Sequence, residues 1–193
     1  MTASVLSRVD VHPVLDVPLL RDIIHPSREL WTPRELRELT SFVASELTTP
    51  LLSILEFDST RRWWARLGLT EGVELWLLSW LPGQGTEPHD HGGAAGSFTV
   101  LTGELFEAYR YPGGPVRSAV RGVGAAVGFG AGRAHQVLNN GGVGASSVHA
   151  YSPPLVPTRE YPSLADIPRD IPPLPASRLP LEQLRVLADQ EGP

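Results

Sequence analysis

The feature that most constrains the fold is a series of short apolar segments separated by glycines in the middle of the chain. The sequence contains 19 glycines, and they concentrate in residues 83–144. Short strands joined by tight turns produce this pattern, because glycine readily adopts the positive φ angles that such turns need. Several strands at this spacing, with no helix between them, predict an antiparallel β-barrel or jelly roll. The predicted strands are Val73–Leu81, Ser97–Leu101, Leu105–Tyr111, Val116–Val120, Ala125–Phe129, Gln136–Leu138 and Ser146–Tyr151.

The segments on either side of this region predict helices and an extended wrap. Residues 32–35 (Thr-Pro-Arg-Glu) form a capping box with proline at the first helical position, so we expect a helix over residues 32–48. Residues 50–67 predict a second helical or irregular segment, and the prolines of residues 152–180 predict an extended stretch outside the barrel. Leucines at helical spacing from Leu181 onward predict a short C-terminal helix.

We therefore expect one mainly β domain over residues 1–193, a jelly-roll β-barrel with N-terminal helices and a short C-terminal helix. In this plan residues 1–70 form a helical cover and residues 71–155 form the barrel. Residues 156–193 form the proline-rich wrap and the last helix.

The composition excludes several classes of protein. The net charge of −5 argues against nucleic acid or an anionic membrane as a partner, because binding phosphate requires a basic surface. No stretch approaches the roughly 18 apolar residues of a membrane span, and the first residues lack an apolar run of signal-peptide length. We therefore expect a cytoplasmic protein. The absence of cysteine excludes disulfides, a thiolate nucleophile and cysteine-ligated metals.

Histidines supply the first chemical signal. His89 and His91 lie two positions apart, so on a strand both imidazoles point to the same face. Neutral imidazole is a common ligand of first-row metals, and this pair is therefore a candidate chelate inside the barrel. A chance pair is common, but the framing glycines and a third histidine, His135, favour metal binding. His12 and His25 are interpreted as structural or surface residues.

The glycines around these histidines resemble the two motifs of the cupin superfamily. Residues 83–103 are similar to the first motif, G-x5-H-x-H-x3,4-E-x6-G, and residues 124–139 to the second, G-x5-P-x-G-x2-H-x3-N. Gly130 stands at the proline of the second motif, and Gly96 stands at the metal-binding glutamate of the first.

The resemblance therefore implies a metal held by histidines alone, and the three ligands are His89, His91 and His135. Three neutral imidazoles leave a divalent metal its full charge and about three open positions. Such a site favours an anionic ligand such as a thiolate and leaves room for dioxygen.

Within the cupins, the chain resembles the thiol dioxygenases, and specifically cysteine dioxygenases of the bacterial type. The resemblance extends from about Trp80 to Pro154 and is strongest in residues 89–105, in residues 135–139 and in residues 147–154. The last of these matches the family signature S-x-H-x-Y-S-P-P.

The resemblance implies roles for several residues outside the metal ligands. Ser147, His149 and Tyr151 correspond to the family's hydrogen-bonded chain, in which the tyrosine hydroxyl points at substrate and oxygen. Animal members crosslink this tyrosine to a cysteine, and Gly96 at that place precludes the crosslink here. The resemblance also implies a cis peptide bond at Ser152–Pro153, where proline makes the cis form accessible.

The residues support this chain independently, because positions i, i+2 and i+4 of a strand share one face. A serine hydroxyl can orient one nitrogen of the histidine, whose other nitrogen can hold the tyrosine hydroxyl. The same spacing is also compatible with a buried network that only supports the barrel.

An arginine before the first histidine pair binds the substrate carboxylate in the cysteine dioxygenases that this chain resembles. The candidates here are Arg61, Arg62 and Arg66, of which Arg62 is the first choice and Arg61 the second. The guanidinium fork matches a carboxylate bidentately. The alternative interpretation of Arg61 and Arg62 is a solvated helix face.

The sequence therefore predicts an Fe(II)-dependent thiol dioxygenase that converts cysteine and O2 to cysteine sulfinic acid. One alternative is a dioxygenase of 3-mercaptopropionate or another small thiol. Another, from a different class, is a non-catalytic cupin that binds a metal or small ligand as a sensor. Zinc accepts the same imidazole ligands, and the sequence carries no signal for oligomeric state.

Overall fold

A computed structural model describes residues 9–176 and 179–188, and residues 1–8, 177–178 and 189–193 of the predicted domain lie outside the described part. The described helices are α1 (Pro18–Ile23), α2 (Pro33–Glu46), α3 (Thr48–Ile54) and α4 (Leu181–Ala188). The strands are β1 (Asp10–Val11), β2 (Trp64–Leu69), β3 (Glu74–Trp80), β4 (His89–Asp90), β5 (Ala95–Thr102), β6 (Glu104–Arg110), β7 (Arg117–Gly122), β8 (Ala126–Phe129), β9 (Ala134–Leu138), β10 (Ala145–Ser152) and β11 (Arg159–Glu160).

The strands form two antiparallel sheets, and the mainly β jelly-roll fold is as predicted. One sheet has the order β1-β2-β3-β10-β5-β8, and the other has the order β11-β4-β9-β6-β7. In the described residues the sheets remain separate and do not close into one hydrogen-bonded barrel. Side chains from both sheets form an interior cluster: Trp76, Leu78, Trp80, Phe98, Val100, Leu105, Val127, Phe129, Val137, Ala145 and Tyr151.

Helix α2 packs on the outer face of the six-stranded sheet. It begins with the predicted capping box, in which Thr32 and Glu35 satisfy each other's backbone amides. Its buried hydroxyl, Thr40 Oγ1, forms hydrogen bonds with Ser97 Oγ at 2.8 Å and with Thr99 Oγ1 at 2.9 Å. These bonds fix the helix against β5. No helix in the described residues is long and apolar enough to cross a membrane.

The segment expected to be helical or irregular over residues 50–67 contains a strand. Helix α3 ends at Ile54, and from Trp64 the chain forms β2, which pairs with β3. Backbone pairing and the burial of Leu67 and Leu69 outweigh local propensity here. The pairing brings Arg62, just before β2, beside β3.

The proline-rich segment supplies an edge strand beside the strand that carries the first histidine. Strand β11 pairs with β4, and the Tyr161 amide donates to the Pro88 carbonyl at 2.8 Å. Gly92 has a φ of 59°, and a Cβ there would crowd the carbonyl oxygen of Pro157. The turn after the histidine pair therefore depends on glycine at this position.

Two glycines near the start of α2 give a matched test of this packing. A Cβ on Gly128 would overlap the Pro33 carbonyl oxygen, whereas a Cβ on Gly130 would find its nearest atom, Pro33 Cγ, at 3.8 Å. We expect Gly128→Ala to lower the free energy of unfolding by about 1–3 kcal/mol and Gly130→Ala to change it by less than about 0.5 kcal/mol. Urea unfolding of both variants measures the difference, and equal effects would contradict this account of the helix–sheet contact.

Candidate metal centre

The three predicted ligands come together between the sheets. His89 lies in β4, His91 directly follows it and His135 lies in β9; one ring nitrogen from each lies within 4.8 Å of the others. His89 pairs directly with His135 across the sheet, and the Nε2 atoms of His91 and His135 are 3.1 Å apart. Within the described residues the group contains no carboxylate. Its donor set fits a divalent transition metal.

The environment keeps the imidazoles available as ligands. Burial, followed by the neighbouring imidazoles, lowers the pKa of His89 to about 3 and the pKa of His91 well below its usual range. Nδ1 of His89 lies 2.8 Å from the carbonyl oxygen of Glu87, and Nδ1 of His135 lies 3.0 Å from the carboxylate of Glu107. Both acceptors place the N–H on Nδ1 and leave the Nε2 lone pair for a metal.

Glu107, on β6, holds His135 in place. It is fully buried, and it also accepts hydrogen bonds from the guanidinium groups of Arg133 and Arg121. Burial alone would raise its pKa, but the hydrogen bond with His135 and the charge of Arg133 outweigh burial and lower the pKa to about 2. The carboxylate is therefore charged at neutral pH and orients the His135 ring.

The position of the missing cupin glutamate is filled by an aromatic ring from another strand. Gly96 pairs with Tyr151 on one side and with Phe129 on the other. A Cβ on Gly96 would overlap the Phe129 ring and come within 2.9 Å of the Tyr151 ring. Phe129 also stacks on His91, with ring centroids 5.3 Å apart. Glycine at this position thus lets two aromatic side chains close around the histidines.

Asp90, between the two histidines of β4, faces away from them and binds the wrap. Its carboxylate accepts hydrogen bonds from Arg159 at 2.6 Å and from Tyr161 at 2.5 Å. It also accepts from the Gly92 amide at 2.8 Å. These contacts anchor the short strand that carries His89.

Ser147, His149 and Tyr151 form the predicted chain of hydrogen bonds along the inner face of β10. Ser147 Oγ lies 2.8 Å from His149 Nε2, and His149 Nδ1 lies 3.0 Å from the Tyr151 hydroxyl. The Tyr151 ring lies over the His91 ring, with centroids 4.5 Å apart. Burial, and then the nearby carboxyl of Glu74, raise the pKa of Tyr151. The phenol therefore keeps its proton at neutral pH, beside the candidate ligands.

A cavity of about 610 Å³ opens onto these groups. Arg62 lines it, with its guanidinium carbon 4.8 Å from the centre of the Trp80 ring. Arg61, by contrast, is mostly exposed and pairs with Asp58, and Arg66 is not among the lining residues. Of the three candidate arginines, the structure therefore brings Arg62 to the site.

The cysteine dioxygenase type I family matches residues 35–163, which include the three histidines and the Ser147–His149–Tyr151 chain. The chain belongs to this family. Membership implies a metal-dependent dioxygenase acting on a small thiol with O2. No curated protein matches the chain.

Several solved structures are similar to part of this chain. An oxalate oxidase in complex with the substrate analogue glycolate has a TM-score of 0.50 and 19% identity, with 72% of this chain and 77% of that chain covered. A Klebsiella pneumoniae protein with a double-stranded β-helix domain has a TM-score of 0.48 and 18% identity, covering 58% of this chain and 95% of its own. TT1209 from Thermus thermophilus has a TM-score of 0.47 and 23% identity, with coverages of 53% and 93%. At these identities the oxalate oxidase supports the fold alone.

The sequence predicted the three histidines that converge, but it did not predict the groups around them. The Ser152–Pro153 peptide bond is cis, as predicted. Glu107 and Glu74 were not anticipated. Glu107 is two positions from the buried Leu105, so a charged residue on the inner face of a strand was a usable signal. Nothing in the local sequence indicated that Phe129 would fill the space at Gly96.

Removing the charge of Glu107 should weaken metal binding. In Glu107→Gln the His135 ring keeps only an uncharged amide oxygen as its acceptor, so the ring is oriented less firmly and is a weaker base, and we expect metal affinity to fall about 10–100-fold. Competition with a chelator, under conditions where circular dichroism shows a folded protein, measures the affinity. Glu104→Gln, an exposed glutamate at the start of the same strand, is the control and should retain the affinity of the natural chain. Equal affinities in all three proteins would refute the orienting role.

Glu74 gives the fold a pH-dependent stability. It is buried inside the cavity wall, where it accepts hydrogen bonds from Trp76 Nε1 at 2.9 Å and from the Leu155 amide at 3.1 Å. Burial raises its pKa from 4.5 to about 7. Because the folded-state pKa exceeds the unfolded value, its contribution to stability is complete below about pH 4.5 and is lost as the pH rises through 7.

Glu74→Gln removes this titration. Relative to the natural chain, we expect the variant to gain on the order of 3 kcal/mol of stability between pH 5 and pH 8. Urea unfolding of metal-free protein at both pH values measures the gain, and groups other than Glu74 cancel in the comparison. Parallel pH dependences would show that Glu74 does not titrate in this range.

Proposed function

We propose that the protein is an iron-dependent cysteine dioxygenase that converts cysteine and O2 to cysteine sulfinic acid. The observation that carries the proposal is the convergence of His89, His91 and His135 beside the Tyr151 hydroxyl and Arg62, in one cavity. Family membership supports dioxygenase chemistry on a thiol. The reaction R–SH + O2 → R–SO2H balances without a reductant.

The three histidines would hold the iron through their Nε2 atoms. A ferrous ion held by them would supply Lewis-acid and redox chemistry toward a thiolate and dioxygen, because three protein ligands leave part of its coordination sphere free. The donor set is neutral, so the site retains positive charge that favours a thiolate over a thiol. Glu107 stabilises the set by orienting His135.

Arg62 would bind the substrate carboxylate. Its guanidinium is half-buried against Trp80, which restricts its motion and aims it into the cavity. A carboxylate held bidentately at this point positions the rest of a small thiol toward the histidines. Leu78, Val137 and Ala94 supply apolar walls that limit water around the reacting sulfur.

Tyr151 would donate a hydrogen bond to negative charge that develops on oxygen during the reaction. Its hydroxyl is held by His149, and His149 is stacked on Phe98 with ring centroids 5.3 Å apart. A preorganised donor of this kind stabilises charge without reorganising at the moment of reaction.

Oxygen uptake by Fe(II)-loaded protein tests the function directly. We expect cysteine to be consumed in equal amounts with O2, and isotopically labelled dioxygen to place both of its atoms in the sulfinate. Uptake with 3-mercaptopropionate but not with cysteine would assign the other small-thiol activity. Stable iron binding without uptake for any thiol would favour the sensor.

His135→Ala tests the ligand assignment. We expect this variant to lose bound iron and thiol oxidation together, because two remaining imidazoles form a much weaker site. Metal analysis after gel filtration and the oxygen electrode measure the two properties. His25→Ala, which changes an exposed histidine that does not line the cavity, is the matched control and should retain both. An iron-loaded, active His135→Ala protein would overturn the assignment.

A further inference from the structure

Trp80 extends the chain of hydrogen bonds that ends at Tyr151. It is the last residue of β3, and its side chain is buried in the interior cluster. Its indole Nε1–H donates to Ser147 Oγ at 2.9 Å. The four groups therefore form one continuous series, from Trp80 through Ser147 and His149 to Tyr151.

The indole determines which way the first bonds run. An indole N–H can only donate, so the Ser147 oxygen accepts from Trp80. The Ser147 hydroxyl proton then needs an acceptor of its own. Among the described residues its remaining hydrogen-bond partner is His149 Nε2, at 2.8 Å. Ser147 therefore donates to His149.

His149 extends the same direction of hydrogen bonding to Tyr151. Because Nε2 of His149 accepts from Ser147, the ring proton lies on Nδ1, which donates to the Tyr151 oxygen at 3.0 Å. The Tyr151 oxygen thus accepts from the histidine, and its own proton is left to point into the cavity.

The opposite direction is disfavoured. If His149 carried its proton on Nε2, or on both nitrogens, Ser147 Oγ would accept from both Trp80 and His149. The buried Ser147 proton would then lack an acceptor among the described residues, which costs free energy. Burial, followed by the charge of Arg62, also lowers the pKa of His149 well below its usual range, so a neutral ring is expected.

We propose that Trp80 is a positioning residue that sets the direction of this chain, so that the Tyr151 hydroxyl donates toward the group bound at the three histidines. The same indole carries the Arg62 guanidinium on its ring face, 4.8 Å from the ring centre. One side chain thus supports both the carboxylate anchor and the proton donor. The kinetic consequence rests on the proposed function, but the direction of the hydrogen bonds does not.

The tautomer of His149 tests the direction without any catalytic assay. We expect proton–nitrogen couplings in metal-free, ¹⁵N-histidine-labelled protein to show the Nδ1–H form, with the resonances assigned by comparison with His149→Gln. In Trp80→Phe, which lacks the indole donor, we expect the Nε2–H form to become populated. An Nε2–H tautomer in the natural chain would overturn the proposal, as would an unchanged tautomer in Trp80→Phe.

Trp76→Phe is the matched control. Trp76 lies on the same face of β3, and it donates its indole proton to Glu74 rather than to Ser147. Its replacement makes the same change of side chain at a buried position and also removes an indole N–H. The His149 tautomer should nevertheless remain Nδ1–H. If Trp76→Phe shifts the tautomer as far as Trp80→Phe does, the effect comes from general loosening of the interior and the proposal fails.

Steady-state kinetics of Trp80 variants test whether the direction of the hydrogen bonds affects catalysis, because kcat and KM should respond differently. Trp80→Phe retains an aromatic face for Arg62, so we expect kcat to fall about tenfold or more while KM for the thiol changes little. Trp80→Leu removes the ring face as well and should also raise KM. A fall in kcat/KM that comes from KM alone in Trp80→Phe would contradict the proposal. If the natural chain oxidises no thiol, the proposed function fails. The tautomer of His149 would still show in which direction the hydrogen bonds from Trp80 to Tyr151 run.

Discussion

The pairing of β4 with β9 is the contact on which the candidate site depends. It places His89 opposite His135 and thereby unites two motifs whose histidines, His91 and His135, lie 44 positions apart. Strand β4 has only two residues and contributes little apolar surface of its own. Its other edge is held by β11, and Asp90 binds Arg159 of that strand. The proline-rich wrap is therefore part of what positions the first histidine pair.

Two buried glutamates show how the surroundings of a carboxyl group decide its use. Glu107 lies between His135 and two arginines, and its pKa of about 2 keeps it charged. Glu74 accepts from two uncharged donors, and its pKa is about 7. The first can act as a permanent orienting group for a ligand. The carboxyl group of Glu74 can gain or lose its proton near neutral pH, and its charge raises the pKa of Tyr151.

The absence of a side chain at Gly96 has the widest effect on the chemistry of the site. It removes a carboxylate from the donor set and at the same time admits the Phe129 and Tyr151 rings. The group that remains is neutral, and it is bordered by aromatic faces and one phenol. Such a set favours an anionic sulfur ligand, whereas a carboxylate as a fourth protein ligand would have competed with it for charge and for space.

The sequence by itself determined the features that depend on residues close together in the chain. The His89–His91 pair, the Ser147–His149–Tyr151 series and the capping box of α2 follow from the periods of strands and helices, which act over a few residues. Only the tertiary structure decided which arginine reaches the cavity, which carboxylate orients His135 and which ring fills the space at Gly96. Those choices depend on which strands become neighbours and in what register. A side-chain pattern along one strand specifies the face that each residue occupies, but it leaves the partner across the sheet undetermined until the chain folds.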